Sequence, residues 1–221
     1  TITEKGVSYK KLNGEFVNKE RIHVGHDTFS AVKGEYKHFM LKEINEQPES
    51  VINTLRGRVN FDPPRIYLEG FPFSDREIRD MNRVVLIGMG TSLHAAVVGR
   101  NWIESLSKLP AEADSSSEFR HRDAVIDEKT LVISICQSGE TADTLAAMEV
   151  CSAKGARQVT LCNYEGTQTT RISHGTVLIR AGLEIGVAAT KTFVSSLTAL
   201  YLITLYIAEK RGVLEEERLH E

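Results

Sequence analysis

The chain has 221 residues, of which 41% are hydrophobic and 26% charged, with a net charge of −3. This is the balance of an ordinary globular protein with one sizeable core and a small appendage. The negative charge, with no Lys/Arg cluster, argues against a nucleic-acid footprint. The 3 cysteines cannot all pair, and Cys136 and Cys162 close predicted buried strands, which suits a reducing, cytoplasmic setting.

In chain order, residues 7–12 and 15–18 flank Asn13-Gly14, a strong hairpin signal because Asn-Gly accepts the positive φ angles of a two-residue turn. A polar connector without periodicity follows to Glu35. Two helices flank Pro48, one ending near Glu46 and one over 49–58, since proline breaks a helix or opens one. Residues 60–73, with Pro63, Pro64 and Pro72, read as a loop and 74–81 as a short helix. From Arg83 onward strands and helices alternate. Strands centre on Val85, Glu112, Ile133, Thr160 and Leu178, which predicts a doubly wound α/β sandwich with a five-stranded parallel sheet. A helix over 93–108 should bury Ala95, Val98, Trp102, Ile103 and Leu106, with Gly99 weakening it by about 1 kcal/mol. A helix over 142–154 should carry Leu145, Met148 and Ser152 on one face. The uncharged run over 192–208 is shorter than the ~20 apolar residues a membrane span needs and reads as a buried core helix, so no membrane is expected. Residues 213–218 are acidic and read as a linker.

Three polar, glycine-containing segments follow strands and precede helices. They are Gly88-Met89-Gly90-Thr91-Ser92, Cys136-Gln137-Ser138-Gly139-Glu140-Thr141, and residues 182–191. Such turns expose backbone N–H groups and short hydroxyls at the positive end of a helix dipole, where an anion binds. Two of them at the carboxyl ends of parallel strands can converge on one crevice. Ser92, Ser138 and Thr141 supply hydroxyl donors, and no Arg or Lys lies in the first two loops, which suits a phosphomonoester held by neutral donors. A dinucleotide site is the rival, because Gly88-x-Gly90 follows a strand and Asp114 stands near the ribose-binding distance. Leu93, however, occupies the third glycine position. His94, His121 and His174 lack metal-ligand spacing, so no metal is expected.

The order and wording of these segments resemble the sugar isomerase (SIS) domain. More narrowly they are similar to the glutamine–fructose-6-phosphate transaminase family, through Gly90-Thr91-Ser92, residues 137–144, Glu184-Ile185-Gly186-Val187-Ala188 and the upstream phrase at residues 37–48. The resemblance implies a flavodoxin-like three-layer fold and a division of the chain. Residues 1–22 would be the end hairpin of a glutaminase domain, 23–36 a linker, 37–212 a first SIS domain and 213–221 the start of a linker to a second. It implies binding of fructose 6-phosphate or glucosamine 6-phosphate through Thr91, Ser92, Cys136, Gln137, Ser138 and Thr141, with Val187 a backbone contact near the sugar. No cofactor is implied. The catalytic groups would come from the second SIS domain and from a partner subunit of a homodimer, leaving none in this chain. A regulatory SIS module that senses a sugar phosphate is the other reading. Where the family has serine this chain has Cys136, a weaker donor whose pKa should fall near a helix N-terminus. Ala189 likewise replaces a common serine.

Overall fold

The computed structural model describes residues 1–4, 6–20 and 32–214. Chain contacts divide it into two units, Thr1–Val32 and Lys33–Glu221. The expected connector at 23–36 and the linker at 213–221 fall largely outside the described residues.

In the first unit, Ile2–Thr3 pairs with Gly6–Val7 and Tyr9–Lys10 pairs with Phe16–Val17, both antiparallel. The hairpin is present, but its turn is not the expected two-residue one. Lys11 N–H donates to Glu15 O (2.9 Å) and Gly14 N–H to Lys11 O (3.0 Å), so Leu12, Asn13 and Gly14 form the loop. Gly14 alone takes a positive φ of 86°, as a three-residue hairpin loop requires. Asn13 Oδ1 accepts from Glu15 N–H (3.1 Å) rather than entering the left-handed region.

The second unit is built on five parallel strands: β1 (Arg83–Gly88), β2 (Ala111–Ser115), β3 (Thr130–Ile135), β4 (Arg157–Cys162) and β5 (Gly175–Leu178). Their order across the sheet is β2-β1-β3-β4-β5, the flavodoxin-like order expected. The helices are α1 (Phe39–Asn45), α2 (Gln47–Leu55), α3 (Asp75–Asp80), α4 (Thr91–Trp102), α5 (Ser116–Phe119), α6 (Ala142–Ala153), α7 (Gln168–Ile172) and α8 (Lys191–Arg211). Because both faces of the sheet are covered, the central strands are largely apolar, and their residues alternate in which core they serve. Val84, Leu86, Leu131 and Ile133 join the core with α4 and α8. Val85, Ile87 and Val132 join Phe119, Ala147 and Met148 on the other face. Each such side chain contributes about 1.5–3 kcal/mol on burial.

Several boundaries differ from expectation. Pro48 sits in the first turn of α2, where its missing N–H is harmless, and α2 ends at Leu55. Val59–Phe61 and Pro64–Ile66 pair as a small ladder inside the stretch expected to be loop. α4 gives way at Ile103–Ser107 to a π-helical turn, and Lys108 ends it in the left-handed conformation. On α6 the buried stripe is Thr144, Ala147, Met148 and Cys151, so Leu145 and Ser152 lie off it. α8 is long and apolar enough to cross a membrane by length and composition, but it is a core helix with Ala199, Leu200, Ile203 and Ile207 fully buried.

Gly99 proves to be a packing device. A Cβ there would lie 3.1 Å from both Leu200 and Leu86 side chains, so its absence lets α4 close onto α8 and β1. Gly99→Val should therefore cost about 1–3 kcal/mol through overpacking, read as a lower urea midpoint at unchanged slope.

Burial pushes the Cys151 thiol up to about 12. The folded chain then keeps this proton after the unfolded chain has lost it near pH 8.5, so the contribution is intact below that value and is lost as pH rises above it. Between pH 8 and pH 10 the chain should lose about 2 kcal/mol more stability than Cys151→Ala does.

Candidate functional site

β1 and β3 are neighbours, with Gly88 aligned to Ile135 at their carboxyl ends. Their chains then part: β1 leads into α4 on one face of the sheet and β3 into α6 on the other. That divergence is the topological switch point, and open α/β sheets bind ligands in the crevice between two such turns. Both helices begin there without a side-chain cap, α4 at Gly90 and α6 at Thr141. Among the described α-helices a side-chain cap is present only on α3, which leads into the opposite end of β1 and has a complete Ser74–Glu77 capping box. The positive ends of two helix dipoles thus meet at the carboxyl ends of neighbouring strands.

The first loop is tight because Gly88 allows it. A Cβ there would stand 2.9 Å from the Ser92 carbonyl carbon. Ser92 N–H donates to Met89 O (3.0 Å) and Leu93 N–H to Gly90 O (3.1 Å), which closes the turn. Thr91 is exposed and Ser92 half-buried at its rim. In the second loop Gln137, Ser138 and Thr141 are half-buried. Ser138 Oγ accepts from Glu140 N–H (3.2 Å), which leaves its own proton to donate. Gly139 has φ 70°, and a Cβ on it would meet Thr167 Oγ1 at 2.2 Å, so this peptide is fixed against α7's entry. Glu140 would repel an anion if it faced the crevice. Its carboxylate instead accepts from Gln168 N–H (2.9 Å) and Gln168 Nε2 (2.6 Å) at the start of α7, and these bonds hold it below the usual carboxylate range. The structure therefore sets Thr91 and Ser92 at the turn between β1 and α4, and Gln137, Ser138 and Thr141 at the neighbouring turn between β3 and α6, with Glu140 bonded to the start of α7.

The third loop is attached to the second by Asn163, a residue to which sequence reasoning gave no role. Its N–H donates to Gln137 O (3.2 Å), its Nδ2 to Gly182 O (2.7 Å), and its Oδ1 accepts from Ala181 N–H (2.9 Å). Its position directly after β4, at the carboxyl edge of the sheet, was the available signal. Val187 is fully exposed on this third loop. Glu184 and Lys191 are not partners: Glu184 accepts from Thr190 and Thr192, while Lys191 Nζ meets Glu46 at 2.7 Å. Asp114, the ribose acid of the rival reading, is bound by Arg122 at 2.7 Å. His174 is structural, its Nδ1 accepting from Gln158 N–H (3.0 Å). Among the described residues no group of His, Cys, Asp and Glu is arranged to hold a metal ion.

Residues 77–206, more than half of the chain, match the SIS domain family. The chain belongs to that family. The SIS chain is 39% identical over 220 residues to glutamine–fructose-6-phosphate aminotransferase [isomerizing] of Clostridium tetani, covering 100% of this chain and 36% of that protein. It is 45% identical over 190 residues to the protein of the same name from Mycolicibacterium smegmatis, covering 86% of this chain and 30% of that one. Among solved structures, the C-terminal domain of glucosamine-fructose-6-phosphate aminotransferase from Francisella tularensis superposes with a TM-score of 0.80 at 35% identity. The match covers 86% of this chain and 53% of that one. The chain thus spans about a third of the length of the curated relatives it matches.

One expected contact of this SIS domain needs correction. Cys136 is 4% exposed, and its thiol donates to Leu161 O (3.2 Å) beside the hydroxyls of Thr160 and Thr169. Its N–H is also taken, by Leu161 O at 3.0 Å. Strand alternation turns the side chain toward α7, so Cys136 offers the crevice no free donor. The expected fall in its pKa is reversed as well: contact with Cys162, then burial, holds the thiol well above its ordinary value. Cys136→Ser should accordingly leave affinity for a hexose phosphate within twofold, with the same profile as the unmutated chain from pH 6.5 to 9. Cys136 should also resist alkylation in the native state with or without ligand, which peptide mapping after iodoacetamide treatment can check.

Proposed function

We propose that the crevice between the β1 and β3 turns is a cradle for the phosphate of a hexose 6-phosphate. The observation that carries this reading is the pair of uncapped helices leaving adjacent strands. The hydroxyls of Thr91, Ser92 and Thr141 stand around them without protein partners among the described hydrogen bonds. A phosphate dianion needs several short donors at once, and two helix N-termini add favourable potential without a cation. Gln137 and Ser138 complete the second wall, and the backbone at Val187 faces the sugar.

On the strength of its relatives, the domain is the sugar-phosphate-binding half of the synthase part of a glutamine–fructose-6-phosphate aminotransferase. In that reading the longer protein converts fructose 6-phosphate and glutamine into glucosamine 6-phosphate and glutamate. It works in the cytoplasm as a homodimer, and a second SIS domain brings the groups that move protons. Residues 1–22 then belong to the ammonia-releasing domain. The isolated chain binds the sugar phosphate and does not turn it over.

Ser92→Ala and Ser138→Ala should each weaken glucosamine 6-phosphate binding by about 1.5–3 kcal/mol, the value of a hydrogen bond to a charged group. Calorimetric titration of the two variants checks this, and unchanged affinity in both would remove the phosphate from this crevice. Incubation of the chain with fructose 6-phosphate and ammonia should yield no glucosamine 6-phosphate.

A further inference from the structure

Glu43 lies on α1, outside the segment that matches the SIS family. Its side chain is buried at 2% exposure, and among the described residues no cation pairs with it. A buried carboxylate must be compensated by hydrogen bonds. Here the donors are two consecutive peptides of the third loop: Ile185 N–H at 2.5 Å, and Gly186 N–H at 3.0 and 3.1 Å from the two oxygens. A Cβ on Gly186 would lie 2.4 Å from Glu43 Oε2, so glycine there makes room for the carboxylate.

The rest of the loop is pinned just as firmly. Glu184 Oε1 accepts from Thr190 N–H (2.9 Å), Thr190 Oγ1 (3.1 Å) and Thr192 N–H (3.2 Å), while the neighbouring Lys191 is tied to Glu46. Between these anchors Val187 and Ala188 remain exposed, with Val187 wholly so. Asn163 connects the base of the same loop to the Gln137 peptide of the phosphate turn. The loop is thus a braced projection beside the crevice, and its brace nearest the exposed crest is Glu43.

We propose that Glu43 is a positioning residue that fixes the peptides of residues 185–186, and with them the Val187 crest, so that the site prefers a sugar phosphate over bare phosphate. This rests on the hexose-phosphate cradle proposed above. Phosphate itself is held by the first two loops, which Glu43 does not touch. Loss of the brace should therefore penalise the sugar moiety and spare the phosphate.

The test is calorimetric titration of the chain with glucosamine 6-phosphate and, separately, with inorganic phosphate. Glu43→Ala should weaken glucosamine 6-phosphate at least tenfold while changing inorganic phosphate less than twofold. Glu43→Gln, which keeps one amide oxygen to accept an N–H, should fall between. Gly186→Ala, which expels the carboxylate from the other side of the contact, should reproduce the loss. If Glu43→Ala lacks a cooperative thermal transition, Glu43→Gln and Gly186→Ala decide. Equal loss for both probes, or no loss for either, overturns the assignment. An unmutated chain that binds both probes without preference also overturns it and leaves the phosphate cradle standing. An unmutated chain that binds neither overturns the cradle, and this inference with it.

Discussion

The arrangement depends on two neighbouring parallel strands sending their chains to opposite faces of one sheet. Backbone N–H groups at the start of a helix are unsatisfied wherever the helix begins. A side-chain cap can meet the cost, as Ser74 does for α3, the one such cap among the described α-helices. Where β1 and β3 diverge, two such starts share a single space, and the sequence there supplies glycine and short hydroxyls rather than a cap. The tight Gly88 and Gly139 peptides bring the backbone close in while keeping bulk out. Chain topology creates the polar demand, and the loop residues leave it open to an outside acceptor.

Electrostatics in such a site is a matter of orientation as much as composition. The second loop contains a carboxylate, Glu140, only two residues from Ser138. Its bonds to Gln168 turn that charge outward and spend it on the first turn of α7. The opposite case is Cys136, which reads from the sequence as a reactive thiol at a helix start and lies buried against Leu161 and Thr169. In each case the direction of one side chain reverses the meaning of the residue type.

Much of the fold was legible from periodicity. The runs at 84–87 and 131–133 are apolar because both faces of each strand are covered, and the alternation from Arg83 onward led to the correct five-stranded sheet. What escaped the sequence was set by neighbours distant along the chain. Which face of α6 is buried was not readable, because Ala147 and Cys151 are too small to advertise it. Gly99 looked like a helix defect, and only the position of Leu200 shows why it is small. The five loop residues proposed as donors were readable as polar residues after strands. Asn163 and Glu43 were not, because their roles consist of bonds to peptides 18 and 142 positions away.

Asn163 also has a dynamic meaning. Three hydrogen bonds on one residue join the turn after β3 to the segment after β5, with its own strand, β4, between them. Segments that share such a tie open to solvent as one cooperative unit rather than as independent loops. The amides of 137–139 and 181–182 should then share an exchange lifetime. A molecule that stiffens one rim of the crevice slows breathing on the other, two strands away, without any displacement of the backbone between them.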